Sequence, residues 1–331
     1  MKNSLLNGFI GIVIAAIALY FGFRGIDLSA VYNEMKSVDP FYLYLTMVVG
    51  ILSHWLRAIR WKLLLKQQNF LDKGVYPFFS ATMVGYAINN VIPRGGEIGK
   101  AVYLSRSTGI DKSTVLGTVV LERLLDFIVL VLVFGLTVLL YREPMNQFFP
   151  GLGVGALVVF LVAGGAILVF TFLPQKTVKK IFRNNLAVIN KKAAIRLSAI
   201  AMRFVSGIGI LKKGSSPVSI TVLSLAIFFC YILTAWIPLF SFGFQADLNL
   251  SLGAGAALMA ISAIGMILPS PGGTGTFHFF CSAVLVNLFA VSRLDAMSYA
   301  TTVHLLNLVV TGGLGVLTFA FDQFFQGKKN V

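Results

Sequence analysis

Long apolar stretches alternate with short polar segments along most of the chain. Six of these stretches are continuous and have about the length, near 20 residues, that a helix needs to cross a bilayer. They cover residues 4–23, 41–61, 114–140, 152–173, 217–243 and 297–325. We therefore predict six transmembrane helices, the first of them retained in the mature protein.

Two further apolar stretches are interrupted near their middle. Residues 75–106 break at Pro93, and residues 250–291 break at the sequence LPSPGGTG, from Leu268 to Gly275. Proline and clustered glycine end a helix. Each stretch is therefore predicted to form two half-helices joined by a turn, as a re-entrant hairpin that enters and leaves the membrane on one side.

The two interruptions share the pattern apolar-Pro-x-x-Gly-x-x-Gly, in IPRGGEIG (Ile92 to Gly99) and in LPSPGGTG. The order span, span, hairpin, span occurs over residues 4–140 and again over 152–325, in the opposite orientation. Inverted repeats with broken helices are typical of secondary transporters. The fold class predicted is an all-α polytopic membrane protein of two inverted repeats, with six full spans and two re-entrant hairpins.

Basic residues test this topology, because loops on the cytoplasmic side of a membrane are rich in lysine and arginine. They concentrate on one side if both termini are cytoplasmic and each hairpin returns to its own side. The segment 175–213 has ten lysines and arginines and no acidic residue. Apolar residues recur in it every three or four positions, which predicts an amphipathic helix on the inner leaflet. The alternative is a solvated linker that only follows the charge rule.

Composition supports an integral membrane protein. Of the 331 residues, 57% are hydrophobic and only 12% are charged, which is outside the range of soluble domains. The net charge of +15 would also suit nucleic acid, but its distribution favours an anionic membrane surface. Two cysteines and three histidines show no spacing typical of disulfide frameworks or metal sites, so no metal or cofactor is expected.

Each predicted turn is followed by the start of a helix, where unpaired amides and the helix dipole favour anions. Basic side chains add positive charge at the first turn. The predicted binding residues are Arg94, Gly95, Gly96, Glu97 and Lys100 at the first turn, and Gly272, Gly273, Thr274 and His278 at the second. The alternative is that proline and glycine only permit a tight buried turn.

The span 114–140 carries three charged residues, Glu122, Arg123 and Asp126. Charges at membrane depth are costly unless they face a cavity or a partner. We predict that Arg94 or Lys100 pairs with Glu122 or Asp126. These ion pairs could rearrange as a lipid headgroup passes, or they could form a fixed network that sets helix register.

A second basic group ends the span 41–61, where Arg57 and Arg60 stand between Trp55 and Trp61. Tryptophan and arginine are common at the membrane interface. The two arginines are predicted to anchor this end at the cytoplasmic surface and to contact inner-leaflet lipid. In the basic segment the same contact is predicted for Lys179, Lys180, Lys191 and Lys192.

Four motifs in fixed order, RAIRW, IPRGGEIGKAVYL, ERLLDFIVL and LPSPGGTGTFHFF, resemble the lysylphosphatidylglycerol synthase transmembrane-region family. This is the flippase-like membrane domain also found in the bacterial multiple peptide resistance factor. The resemblance implies a lipid-translocating domain of a bacterial or archaeal plasma membrane. It implies a central polar site at Arg94, Glu97, Glu122, Arg123 and Asp126, with the glycines of both turns.

Two-domain relatives carry a soluble enzyme that attaches an amino acid to phosphatidylglycerol. This chain stops soon after its last span, at GKKNV. We therefore expect a stand-alone membrane domain without synthase activity, and not an enzyme.

The expected function is the movement of an anionic phospholipid or a lipid-linked saccharide between leaflets. Two alternatives remain open. One is a non-transporting accessory or scaffold for a separate lipid-modifying enzyme or glycosyltransferase, and the other is a secondary transporter of small solutes. Membrane lipids are the expected partners, nucleic acid is not, and the sequence indicates no oligomeric state.

Overall fold

The computed structural model describes residues 2–65, 74–148, 155, 217–244, 248 and 250–327. Within these residues the regular structure is helical. The helices are α1 Lys2–Phe23, α2 Leu28–Ser37, α3 Pro40–Leu64, α4 Tyr76–Val91, α5 Gly95–Thr108, α6 Lys112–Leu140, α7 Arg142–Phe148, α8 Pro217–Ser241, α9 Leu252–Ile267, α10 Thr276–Phe289 and α11 Arg293–Gly327.

Four of the described helices, α3, α6, α8 and α11, are long and apolar enough to cross a membrane. A fifth span is possible if α1 and α2, which meet at a bend of 82°, count together. The prediction of an all-α polytopic membrane protein is confirmed. The number of six spans, the inverted repeats and the cytoplasmic position of both termini stay predictions.

Part of the predicted organisation lies outside the described residues. The span 152–173 does so except for residue 155. The basic segment 175–213 does so entirely, together with the four lysines predicted to contact lipid, Lys179, Lys180, Lys191 and Lys192.

Both predicted interruptions are helical hairpins of the same dimensions. The first half-helices, α4 and α9, have 16 residues each, and the second, α5 and α10, have 14 each. The two half-helices of each hairpin pack against each other. The first pair is closest at Gly85 and Gly96, because a methyl group added to Gly96 would lie 1.9 Å from the Gly85 carbonyl oxygen.

The turns themselves differ. Three residues, 92–94, separate α4 from α5, and Arg94 adopts a left-handed conformation with φ 61°. The second turn has eight residues, includes a 3₁₀ turn at Pro271–Gly273, and has positive φ at Gly272, Gly273 and Gly275. Proline and glycine thus end both helices where the sequence predicted, but the second connection is longer.

Each hairpin contacts both long helices that follow a hairpin. The half-helix α4 packs on α11 and α5 on α6, while α9 packs on α6 and α10 on α11. The helices α3 and α8 pack along each other between the hairpins. As a result the two turns approach each other, and a methyl group at Gly11 of α1 would touch both, at 2.7 Å from Pro269 O and 3.1 Å from Pro93 Cγ.

Aspartates cap the helices that enter the body of the protein. Asp39 accepts a hydrogen bond from the Phe41 amide at the start of α3, where Pro40 takes the first helical position. Asp111 accepts from the amides of Ser113 and Thr114 at the start of α6. The Ser113 hydroxyl, followed by these amides, holds the pKa of Asp111 below its usual value, so the cap stays ionised at neutral pH. These caps fix where α3 and α6 begin, and hence the height of their charged residues.

Candidate functional site

Three helices of the first half bring seven charged residues together. We call this set the charged cluster: Arg57 and Arg60 of α3, Glu97 and Lys100 of α5, and Glu122, Arg123 and Asp126 of α6. Side chains three or four residues apart share one face of a helix. Each helix therefore presents its charges to the other two.

Glu122 is at the centre of the charged cluster and has no solvent exposure. One of its oxygens accepts a hydrogen bond from Lys100 Nζ at 2.7 Å. The other accepts from Arg57 Nη1, and from Arg123 Nη2 at 3.1 Å. A carboxylate buried this completely is tolerated only with such partners, since its desolvation must be offset by charge and hydrogen bonding.

Asp126, one turn further along α6, holds the two arginines of α3. Its Oδ2 lies 2.8 Å from Arg57 Nη1, and its Oδ1 lies 2.5 Å from Arg60 Nη2. Arg57 therefore joins both carboxylates of α6 into one network. Ion pairs between arginine and carboxylate are among the stronger hydrogen bonds in proteins, so this side of the network is held firmly.

The second half of the chain contributes neutral partners. The hydroxyl oxygen of Tyr231, on α8, accepts from Arg57 Nε at 3.1 Å and from Nη2 at 2.8 Å. Ser224, two turns earlier, accepts from Arg60 Nη1 at 2.9 Å. The charged cluster therefore joins α8 to the first half of the protein.

One edge of the charged cluster is accessible. The side chains of Glu97 and Arg123 are 33% and 41% exposed. Their closest charged atoms are 3.8 Å apart, and Lys100 Nζ lies 4.0 Å from Glu97. These residues border a small cleft of about 190 Å³ that Tyr86 and Asn89 also line. The contacts at this edge are longer than those around Glu122 and Asp126.

The charged cluster has an excess of positive charge. It contains four cationic side chains and three carboxylates, all within 4.0 Å of an opposite charge. With ordinary ionisation one positive charge remains. A surplus charge that is screened little by water attracts an anion strongly.

The structure separates the residues predicted at the first turn. Of the predicted pairings, Lys100 with Glu122 is present. Arg94 instead donates from Nη2 to the carbonyl of Ile267, at 2.6 Å, and so joins the first turn to the end of α9. It precedes the first residue of α5 and is exposed. A role of these residues in binding a substrate stays a prediction.

The interpretation of Arg57 and Arg60 as contacts to inner-leaflet lipid needs correction. Their side chains are 3% and 0% exposed, and both point into the charged cluster. Helix α3 packs with this face toward α6, where Glu122 and Asp126 supply the counter-charges. Two arginines three residues apart and two carboxylates four residues apart were a signal of this pairing that local patterns did not reveal.

The helix starts proposed to bind an anion use their first amides internally. The Gly95 amide donates to the Ile92 carbonyl, and the Gly96 amide donates to Asn89 Oδ1 at 2.7 Å. At the second turn the Gly273 and Thr274 amides donate to backbone carbonyls of the turn, and the Gly275 amide to His278 Nδ1. In this conformation, positive charge at the first turn comes mainly from side chains.

At the second turn, two of the predicted residues contact a histidine of α11. Thr274 Oγ1 lies 3.3 Å from His304 Nε2, and the ring of His278 lies 4.7 Å from that of His304, centroid to centroid. Gly272 and Gly273 form the turn that holds them. This group is chemically unlike the charged cluster, since it contains imidazoles and hydroxyls.

Sequence reasoning missed Tyr231 and Ser224. They are seven residues apart in an otherwise apolar span and share one face of α8. Two polar side chains at this spacing were the signal available, but their partner could be known only from the packing of α8 on α3.

Comparison with known proteins gives relatives in archaea. A UPF0104 membrane protein of Methanocaldococcus jannaschii is 30% identical over 38% of this chain and 36% of its own length. A second, from Methanothermobacter thermautotrophicus, is 27% identical over 47% and 48%. Glycosyltransferase AglD of Haloferax volcanii is 22% identical over 92% of this chain and 53% of its own length. The chain thus spans about a third to a half of the length of these relatives.

No solved structure matches the chain significantly. The family description of the lysylphosphatidylglycerol synthase TM region matches residues 8–315, which include the charged cluster, both hairpins and all four long helices. With a match over most of its length, the chain belongs to the lysylphosphatidylglycerol synthase TM region family of membrane proteins.

Proposed function

We propose that this protein moves an anionic phospholipid or a lipid-linked saccharide between the leaflets of a prokaryotic plasma membrane, without acting as an enzyme. The observation that carries the proposal is the charged cluster, in which one surplus positive charge is buried and one edge is open. An anionic headgroup would pass this edge while the lipid tails stay in the bilayer.

The contacts at the open edge suit an exchange of partners. Arg123 is 3.8 Å from Glu97, a longer separation than the 2.8 Å and 2.5 Å contacts of Asp126 with Arg57 and Arg60. A phosphate could replace Glu97 as the partner of Arg123 while the deeper ion pairs keep their geometry. Because one anion replaces another, the exchange avoids leaving an unpaired charge at membrane depth.

The packing of the helices supports two related halves. The contacts of α4 with α11 and of α5 with α6 have counterparts in those of α9 with α6 and of α10 with α11. The hairpins agree in length, and α3 and α8 contact each other between them. In transporters with inverted repeats, such halves rock against each other around a central site.

The relatives support a role in handling lipid or glycan. One family member is named for lysylphosphatidylglycerol synthesis and another relative is named a glycosyltransferase. We propose membrane lipids as the substrates of this chain, with a separate lipid-modifying enzyme or glycosyltransferase as a partner.

A second function has one specific observation in its favour. Glu122 is fully buried and accepts hydrogen bonds from three cationic side chains, which is also what a fixed network that sets helix register would require. In that case the protein would be an accessory for a membrane enzyme and would not transport lipid.

Reconstitution distinguishes the two functions. Purified protein is placed in liposomes with labelled phosphatidylglycerol or labelled phosphatidylcholine, and leaflet exchange is followed with a membrane-impermeant quencher. The lipid-translocation proposal expects faster exchange of phosphatidylglycerol, slowed about tenfold or more by Arg123→Gln, the loss of roughly 1.4 kcal/mol of interaction. Arg106→Gln, in the exposed last turn of α5, is the matched control and should behave as wild type.

Two results would count against transport. Wild-type protein that does not accelerate exchange of either lipid favours the accessory role. Equal exchange by wild type, Arg123→Gln and Glu97→Gln, with all three proteins folded, contradicts passage of the headgroup along the charged cluster.

A further inference from the structure

The second half of the chain carries a polar pair at the same helix positions as the open edge of the charged cluster. Glu97 is the third residue of α5, and His278 is the third residue of α10. Arg123 is the twelfth residue of α6, and His304 is the twelfth residue of α11. Both pairs are in contact, so the two hairpins place one polar pair each beside their turn.

The two imidazoles are buried and nearly without polar partners. His278 and His304 are 5% and 4% exposed. The Gly275 amide donates to His278 Nδ1, so the proton of neutral His278 is on Nε2. His304 Nε2 lies within 3.3 Å of Thr274 Oγ1, and the remaining close neighbours are the rings of Phe23 and Phe277.

No carboxylate lies beside this pair among the described side chains that enclose it. The other titratable or charged groups on these helices are Tyr20 on α1, Cys281 on α10, and Arg293, Asp295, Tyr299 and Asp322 on α11, with none on α9. On α4, Tyr76 and Tyr86 stand near Asp322 and His54. Asp295 is nine residues before His304, which is about 13 Å along a helix. An imidazolium here would lack a counter-charge, which a buried cation requires.

An apolar groove leads from the outer end of α11 toward the pair. It lies between α1, α10 and α11, encloses about 680 Å³, and is lined by Phe21, Phe279, Val286 and Met297, with Asn287 and Arg293 at its outer end. Ser282, which also lines it, is four residues after His278. Met297 is seven residues before His304, so both helices turn the same face to the groove and to the histidines.

We propose that this groove and the pair of His278 and His304 form a second headgroup site, which takes up a proton and an anionic phosphate group together. The anion supplies the counter-charge that the buried imidazolium lacks, and the proton supplies the charge that the anion needs. The identity of the anion as a lipid rests on the proposed function, whereas the coupling of proton and phosphate does not.

Coupling of this kind is reciprocal. If bound phosphate strengthens proton binding by some factor, then protonation strengthens phosphate binding by the same factor. Affinity of the second site for an anionic headgroup therefore rises as pH falls. The charged cluster keeps its surplus charge over the same range, because arginine and lysine remain protonated, so only the second half is sensitive to pH.

The experiment uses the fact that the chain has three histidines. The full-length protein, with ¹⁵N-labelled imidazoles, is placed in nanodiscs, and its histidine signals are titrated by NMR between pH 8 and pH 5. The signals are assigned with His54→Gln, His278→Asn and His304→Asn. Three conditions are compared: phosphatidylcholine alone, phosphatidylcholine with inorganic phosphate, and phosphatidylcholine with phosphatidylglycerol.

In phosphatidylcholine alone, His278 and His304 should stay neutral throughout. With phosphatidylglycerol their shared titration should begin about one pH unit higher or more, a tenfold gain in proton affinity, while His54 is unchanged. The same shift with inorganic phosphate assigns the site to phosphate in general, and its absence there assigns it to a lipid headgroup.

Two outcomes would overturn the proposal. One is a pair that stays neutral to pH 5 in all three conditions. The other is a titration that is identical with and without an anion. Neither outcome depends on leaflet exchange, so failure of this proposal is distinguishable from failure of the transport proposal.

Discussion

Arg57 in the first half of the chain and Tyr231 in the second are joined by two hydrogen bonds, from Nε at 3.1 Å and from Nη2 at 2.8 Å, to one hydroxyl oxygen. The remaining guanidinium nitrogen, Nη1, reaches Glu122 and Asp126. A single neutral side chain thus completes the hydrogen bonding of a buried arginine and connects α8 to the charged cluster.

We expect Tyr231→Phe to destabilise the protein by about 1–3 kcal/mol, because two buried N–H groups of Arg57 lose their acceptor. Thermal unfolding in detergent would measure the change. Tyr20→Phe on α1, where the ring is 62% exposed, is the matched control and should leave the midpoint unchanged. Equal midpoints for the two variants would contradict the structural role of the Tyr231 hydroxyl.

Glu122→Gln should be more damaging than the loss of a hydroxyl. It leaves Lys100 and Arg57 buried beside a neutral amide, and removing one partner of a buried ion pair costs about 3–5 kcal/mol. Unfolding in nanodiscs compares it with Glu143→Gln on α7, where the carboxylate is exposed. Combining Glu122→Gln with Lys100→Met should recover part of the loss, and strictly additive effects would argue against a direct pairing.

Gly96→Ala tests the close approach of α4 and α5. The added methyl group would lie 1.9 Å from the Gly85 carbonyl oxygen, so the half-helices must separate. The expected cost is about 1–3 kcal/mol or a loss of folded protein. Gly117→Ala on α6 is the control, because its methyl group would meet nothing within 4 Å and alanine favours helix. A stable Gly96→Ala protein would show that the hairpin can pack more loosely.

Asp322 fastens the open end of the first hairpin to α11. Its Oδ2 accepts from the Ser80 hydroxyl at 2.6 Å and from the Tyr103 hydroxyl at 2.5 Å. We expect Asp322→Ala to speed hydrogen exchange in the first two turns of α4, measured by mass spectrometry in nanodiscs. Asp295→Ala, at the exposed start of α11, should leave α4 unaffected. Unchanged exchange in α4 after Asp322→Ala would mean that apolar packing alone holds this end.

The topology can be tested by cysteine labelling, since Cys230 and Cys281 are buried and should react slowly. Arg106→Cys and Arg293→Cys, each modified with an impermeant reagent in oriented vesicles, should react from opposite sides of the membrane. Labelling of both from the same side would contradict the inverted orientation of the two hairpins.

The sequence predicted the breaks well because their cause is local. Pro93 and the glycines of the second turn cannot continue a helix in any context, so the half-helices end within a residue or two of the expected places. Lys100 was a candidate partner of Glu122 for a similar reason, since both are charges that membrane depth obliges to pair.

The positions of Arg57 and Arg60 could not be predicted in this way. An arginine near the end of a span looks the same whether it faces lipid or a carboxylate, and the difference is which face α3 turns to α6. The acceptor role of Tyr231 depends likewise on how α8 packs against α3. Contacts between helices far apart in sequence decide both.

The contact of α1 with the two turns has a consequence for assembly in the membrane. Gly11 meets Pro269, which is about 260 residues away in the chain, and Ala15 meets Gly275. Helix α1 is made first, yet its final neighbours are made almost last. Until then it must remain in the bilayer with lipid in place of those turns, which its apolar sequence allows. Biogenesis of this protein therefore closes with the docking of its oldest helix, a late step of long sequence separation and hence a slow one.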